Sequence, residues 1–366
     1  MGKKCAFCQK AVNNISSALM LCYGCICRNF DNAKPIIDRV HREVRKKYNL
    51  PEKAPSDSQG TQCLLCINEC RIPVNGYGLC GIRRNEKGVI KGGEPENGKL
   101  SFYYDLLPTN CVADWVCAGG TGAGYPEFAY RNGAETGFKN LAVFYHACSF
   151  NCLFCQNWHY RDLTFDKKIT SARTLADAVD EMTSCICYFG GDPTPQLLHA
   201  ISSSEIAIDK KMGKVLRICF ETNGSMNQSL LRKIIELSLK SGGCIKFDLK
   251  AYTEELNYAL CGVSNRRSLE NFKFAASYIK KRPEPPLLIA STLLIPGYVE
   301  EEEVRKIAGF IAGINPEIPY SLLAFYPQFC MKDLPVTSRN QALSAQEAAK
   351  KAGLKRVKIG NILLLS

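Results

Sequence analysis

The sequence predicts an α/β protein: a partial (β/α)6 barrel preceded by an N-terminal cysteine-rich metal-binding region. Two observations carry this expectation. From about residue 140 onward, short runs rich in β-branched and aromatic residues alternate with stretches of helical period, the pattern of a parallel sheet with right-handed crossovers. Before that point cysteine dominates, with fourteen of the 20 cysteines falling in the first 155 residues.

With 366 residues and 46% hydrophobic content, the chain has ample apolar material for a packed core. It contains no apolar run of the roughly 18 residues a membrane span needs, and Met-Gly-Lys-Lys-Cys5 does not read as a secretory leader, so a cytoplasmic location without membrane association is expected. Disulfide scaffolds are short secreted chains, so a cysteine-rich chain of this length points to a reduced interior and metal ligation. The formal charge of +12 raises nucleic acid as a partner. However, the basic residues are scattered and lack interleaved aromatics, which favours solvated faces or docking to an acidic protein. Thiolate ligation would lower the net charge further.

Four segments follow in order. Residues 1–30 hold Cys5-x2-Cys8 and Cys22-x2-Cys25, the spacing of a zinc knuckle in which two turns each give two thiolates to one tetrahedral ion, with Zn–S near ~2.3 Å. Buried free cysteines are the plainer alternative. Residues 31–60 combine a surface helix, with Ile36, Ile37, Val40 and Val44 at helical spacing, and a polar linker from Pro51 to Gly60. Residues 61–137 carry Cys63-x2-Cys66-x3-Cys70-x9-Cys80, four thiolates expected to share one metal, most simply zinc although iron–sulfur chemistry stays open. A glycine-rich loop at 119–137 follows, expected to be a lid or substrate-facing loop, and Cys111 and Cys117 could replace Cys70 or Cys80 as ligands. Residues 138–366 form the barrel, with strands expected at 141–145, 185–189, 217–221, 244–249, 287–294, 320–325 and 357–359. Helices are expected at 175–183, 229–239, 269–280, 301–311 and 345–352.

The chemistry-bearing motifs cluster where the first barrel strands end. Cys148-x3-Cys152-x2-Cys155 offers three thiolates on one tight loop. Such a set can hold three irons of a [4Fe–4S] cube and leave the fourth open, whereas zinc would require a fourth ligand. The next three strands end in Phe189-Gly190-Gly191-Asp192-Pro193, Phe220-Glu221-Thr222-Asn223-Gly224 and Phe247-Asp248-Leu249-Lys250. Turn formation alone would explain any one pair of these residues, but not polar signatures at four successive strand ends, where a barrel places its site.

These residues resemble the radical S-adenosylmethionine (SAM) superfamily, whose signature is CxxxCx-aromatic-C with Phe154 as the aromatic residue here. Within it, the segments 220–224, 247–250, 292–298 and 325–327, and the Cys63–Gly81 module, are similar to pyruvate formate-lyase activating enzyme homologues and to the radical component of the AmmeMemoRadiSam system. The resemblance implies a radical-SAM barrel in which Cys148, Cys152 and Cys155 hold a [4Fe–4S] cluster. It also implies that Phe154, Gly190, Gly191, Asp192, Glu221, Asn223, Asp248 and Lys250 contact SAM. In such enzymes an electron from the reduced cluster splits SAM into methionine and a 5′-deoxyadenosyl radical, which takes hydrogen from a substrate. The activase-like features imply a protein or peptide substrate and a low-potential donor such as ferredoxin or flavodoxin. A cobalamin-dependent C-methyltransferase is the alternative, although no Asp-x-His-x-x-Gly motif is present. A nucleic-acid-modifying enzyme is a further alternative, and a purely structural metal-binding adaptor is the rival from another class. The knuckle at Cys5–Cys25 and the expanded segment 101–137 are departures from the pattern.

Overall fold

The computed structural model describes residues 3–366. Its central element is an eight-stranded sheet that follows chain order: β1 (Leu100–Leu106), β2 (Lys139–Tyr145), β3 (Thr183–Gly190), β4 (Arg217–Thr222), β5 (Ile245–Asp248), β6 (Leu288–Leu294), β7 (Tyr320–Ala324) and β8 (Val357–Gly360). Strands β2 to β8 are parallel and β1 runs antiparallel to β2. Since β1 and β8 do not pair, the barrel is partial, as the alternating pattern predicts.

Helices cover the outside: α3 (Ala172–Asp177), α4 (Leu197–Lys210), α5 (Gln228–Ser241), α6 (Glu254–Cys261), α7 (Arg266–Ala276), α8 (Glu301–Ile314) and α9 (Arg339–Lys351). Outward-pointing strand residues such as Ile186, Tyr188, Ile218 and Phe220 join the helix faces in one large core. Ser171, Asn227 and Ser338 cap α3, α5 and α9 by accepting a hydrogen bond from a first-turn amide. A smaller, separate cluster of Ala113, Val116, Cys187, Cys219, Cys244 and Ile289 lies inside the barrel.

Two expectations about elements are corrected. The helix expected at 175–183 lies at Ala172–Asp177 instead, because Thr183 already begins β3. The glycine-rich loop at 119–137 is no lid. It packs at the amino ends of the strands, where buried Glu135 pairs with Arg217 at the start of β4 (2.6 Å) and accepts from Ser184 Oγ at the start of β3 (2.7 Å). The preceding stretch closes the gap between the sheet edges. Trp115 Nε1 donates to Ser321 Oγ on β7 (3.0 Å), and Lys358 on β8 pairs with Asp114 (3.0 Å). A cavity of about 840 Å³ opens along this seam, bordered by Asp114, Trp115, Glu221 and Lys358.

The N-terminal segments are stapled to the barrel. Tyr298 Oη accepts from Ser16 N (3.0 Å) and donates to Leu21 O (3.1 Å), while Tyr23 Oη donates to Glu303 on α8 (3.0 Å). α1 (Tyr23–Arg28) and α2 (Phe30–Lys46) lie against α6, and α2 buries Ile37, His41, Val44 and Arg45, so it is more than a surface helix. Among the described residues no helix is long and apolar enough to cross a membrane.

Candidate active site at the barrel mouth

After β2 the chain turns through a loop whose backbone is fastened to the end of α6: Asn151 N donates to Cys261 O (2.8 Å) and Leu153 N to Leu260 O (2.9 Å). The Asn151 amide donates to His41 Nδ1 (2.9 Å), which fixes the tautomer so that Nε2–H donates to Ala259 O (3.1 Å). Asn151 Oδ1 in turn accepts from Arg161 (3.3 Å). From the other side, Asn68 Nδ2 donates to Ser149 O (2.7 Å) and Asn223 Nδ2 to Ser149 Oγ (2.9 Å). Helix α2, the second cysteine segment and the end of β4 thus all hold one loop.

Cys148, Cys152 and Cys155 on this loop line a single cavity with Phe154, Gly190, Gly191, Asp192, Glu221, Asn223, Asp248 and Lys250. All eleven barrel positions singled out from the sequence therefore meet at the carboxyl ends of β2 to β5. Phe150, Gln156, Asn157, Tyr160, Arg161, Phe189, Thr222, Leu293 and Leu323 complete the wall. Gln156, Asn157, Tyr160, Arg161 and Leu323 stand in no recognisable motif. Arg161 is signalled only by its position six residues past Cys155, where its charge draws the Cys155 thiol downward against the larger effect of burial, which pushes it up.

Local chemistry decides the glycines. Gly190 has φ +111°, and a Cβ there would lie 2.4 Å from Tyr145 N; a Cβ on Gly191 would lie 2.2 Å from Ala147 O. Only bare backbone can approach the cluster loop this closely. Asn157 Nδ2 donates to Gly190 O (3.1 Å), and Asp192 N donates to Ala147 O (2.8 Å).

Asp192 is buried, and its carboxylate is already engaged: Oδ1 accepts from Thr194 N (2.8 Å), while Oδ2 accepts from Asn223 N (2.7 Å) and Thr222 Oγ1 (3.0 Å). Burial pushes its pKa up, and these donors oppose the shift without cancelling it. Asp192 therefore ties β3 to β4 as well as bordering the cavity. Lys250 pairs with Asp248 Oδ2, and its ammonium lies 5.6 Å from the centre of the Phe154 ring. Asp248 Oδ1 is buried with no partner, an acceptor left for a ligand donor.

Burial pushes the Cys148 and Cys155 thiols up, and a hydrogen bond with Cys261 followed by burial does the same for Cys152. Three thiolates here require a cationic centre to offset that penalty, which an iron–sulfur cube supplies. Their sulfurs do not converge as ligands of one ion. Among the described residues only Cys5, Cys8, Cys22 and Cys25 do, with all ligand atoms within 4.8 Å of one another. That set could hold a metal ion, and Cys5 is the thiol poised for it: burial raises its pKa, but amide donors at Cys8, Cys22 and Phe7 outweigh this and bring it to about 6.

The remaining cysteines of the first 155 residues lie apart from that knuckle. Cys63, Cys66, Cys70 and Cys80 do not gather around one point as the knuckle does. Leu79 N donates to Cys70 Sγ (3.4 Å), while Cys66 sits in a bridge to Met226 and accepts from Asn68 (3.6 Å), so Cys66 is drawn toward the barrel. Cys111 and Cys117, considered as replacements for Cys70 or Cys80, line the barrel interior instead. Of the residues flanking the cluster loop, His146 bonds Ser101 Oγ (2.8 Å), Tyr145 bonds His199 (2.8 Å) and Trp158 stacks on Phe329 (5.7 Å), which leaves Tyr160 alone of the flanking rings on the cavity wall.

Residues 142–311 match the model of the Radical SAM superfamily. Over 313 residues the chain is 23% identical to an uncharacterised protein of Methanocaldococcus jannaschii, covering 84% of this chain and 83% of that one. Over 143 residues it is 30% identical to the pyruvate formate-lyase 1-activating enzyme of Escherichia coli, covering 37% of this chain and 55% of the enzyme. A crystallised domain of a pyruvate-formate lyase-activating enzyme from Bacteroides vulgatus aligns with 48% of this chain and 98% of its own at 20% identity and a TM-score of 0.36.

Proposed function

We propose that this chain, whose residues 142–311 match the Radical SAM superfamily model, reductively cleaves SAM and abstracts hydrogen from a protein or peptide substrate in the manner of a glycyl-radical activase. The observation that carries the reading is the single cavity at the strand carboxyl ends, where three thiols face the glycine pair and the Asp248–Lys250 ion pair. A protein or peptide substrate is supported by the relative from E. coli, which by name activates another enzyme.

Cys148, Cys152 and Cys155 would hold the [4Fe–4S] cluster, which when bound supplies the electron that splits the sulfonium of SAM. The remaining work belongs to the protein. Gly190 and Gly191 bring backbone against the cluster loop, while Asp192 fixes the ends of β3 and β4 beside it. Asp248 Oδ1 offers an unused acceptor to a hydroxyl or amine of the bound cosubstrate, and Lys250, held by Asp248 and facing Phe154, offers charge to its carboxylate. Phe154, Phe189, Leu293 and Leu323 give the cavity an apolar lining that keeps water from reactive carbon centres.

Anaerobic incubation of the iron-loaded protein with dithionite and SAM, followed by chromatography for 5′-deoxyadenosine, tests the reading. Product is expected from the native chain and not from Cys152→Ala. Its absence from native protein containing at least about four irons would overturn the proposal.

A further inference from the structure

Six cysteines that belong neither to the cluster loop nor to the N-terminal segments meet inside the barrel. Cys111, Cys117, Cys185, Cys187, Cys219 and Cys244 all line one cavity of about 250 Å³, which shares Asn157, Phe189 and Glu221 with the cavity at the mouth. The sheet brings them there. Cys185 and Cys187 are two apart on β3 and so point to the same side, and the register sets Cys187 beside Cys219 on β4. Cys244 follows at the entrance to β5, with its sulfur 3.9 Å from that of Cys219, and Cys111 and Cys117 enter from the loop that seals the open seam.

Two buried cations accompany the sulfurs. Lys246, 1% exposed on β5, donates to Cys111 Sγ (3.1 Å) and Cys187 Sγ (3.0 Å); its one carboxylate partner, Glu221, is farther away at 3.5 Å and a third exposed. Arg217 gives Nε and Nη2 to Cys185 Sγ (3.2 and 3.0 Å) while pairing with Glu135. Cysteines in a core ordinarily behave as small apolar residues and need no cation. A buried ammonium aimed at two sulfurs is expensive unless those sulfurs carry negative charge. A single tetrahedral ion does not fit, because among the described residues only the knuckle sulfurs converge closely enough for one. Six cysteine sulfurs that approach in pairs without converging on one point instead suit a polynuclear centre, as do Cys148, Cys152 and Cys155.

We propose that the barrel interior holds a second, polynuclear iron–sulfur cluster, with thiolate ligands drawn from Cys111, Cys117, Cys187, Cys219 and Cys244. Lys246 is its counter-cation, and Arg217 occupies Cys185. The inference does not depend on SAM cleavage, and its test reads metal and sulfide rather than turnover. The full chain and its Cys148→Ala/Cys152→Ala/Cys155→Ala variant are reconstituted anaerobically and assayed for iron, acid-labile sulfide and the electron paramagnetic resonance of the reduced protein. The triple variant is expected to retain a cluster whose spectrum ignores added SAM, and the further change Cys187→Ala/Cys219→Ala is expected to remove that iron and sulfide. No labile sulfide in the triple variant, or equal sulfide before and after the second change, overturns the proposal. Lys246→Met in the triple background covers the case in which the double change unfolds the barrel. Loss of a cationic donor to the ligating sulfurs should shift the g-values and make the midpoint potential more negative at unchanged iron content. A cluster at Cys63–Cys80 would not respond to that substitution, so an unaltered spectrum also overturns the proposal.

Discussion

At the level of single residues, His41 and Asp192 show opposite responses to burial. Burial lowers the His41 pKa from 6.5 to about 4, so the fold holds it neutral between Asn151 and Ala259. Between those two values the unfolded chain binds the extra proton, so stability present at pH 7 is lost as pH falls from about 6.5 to about 4. The loss should be on the order of 2–3 kcal/mol and should flatten in His41→Gln, as read from urea midpoints across pH. Asp192 shifts the other way. Its folded pKa lies above 3.8, so the native state keeps its proton longer, and its contribution weakens as pH rises through that window. Asp192→Asn would set an amide donor against the donors at Asn223 and Thr222, and a destabilisation of about 1–3 kcal/mol is expected in the same measurement. The roles of these two residues were unequally legible. Asp192 stands beside a glycine pair in a motif, whereas His41 lies 110 residues from Asn151 and nothing local announces the contact.

At the level of elements, the strands were easiest to read. β2 to β7 are largely buried on both faces, and apolar-rich runs such as Leu288–Leu294, wholly buried, read as strands of a covered parallel sheet, while β8 at the open edge is only half-buried. β1 was missed because Leu100–Leu106 carries its aromatic residues on exposed positions, and α4 was not singled out because three successive serines break its apolar stripe, the hydroxyls of Ser203 and Ser204 bonding within the helix or to Tyr188. The lumen cysteines were illegible for a different reason. They are scattered over more than a hundred residues, and only the parallel register sets Cys187 beside Cys219. Two predictions belong to this scale. Cys8→Ser should release about one equivalent of zinc and lower the melting temperature while 5′-deoxyadenosine formation persists, as measured by metal analysis, calorimetry and chromatography. Glu135→Ala leaves the Arg217 guanidinium buried without its carboxylate and should cost about 3–5 kcal/mol in denaturant unfolding.

For the whole molecule, the N-terminal segments and the barrel interlock. His41 reaches the cluster loop, Asn68 and Asn223 grip the same Ser149, and Tyr298 of the barrel bonds Ser16 and Leu21. A chain beginning at residue 61 should therefore lose cluster binding and become rapidly cleaved around residues 148–161 under limited proteolysis; a truncated protein with native iron content would show that the two parts are independent. The open seam has a broader consequence. A closed barrel ties the width of its interior to strand number and tilt, so that width is hard to change by degrees. Here a loop, not a ninth strand, bridges the two free edges, through Trp115 to β7 and Asp114 to β8. Lengthening or trimming that loop would alter what can enter from the side while every ladder of the sheet stays intact. The width of the side opening is thus set by a stretch of sequence separate from the strands that build the sheet.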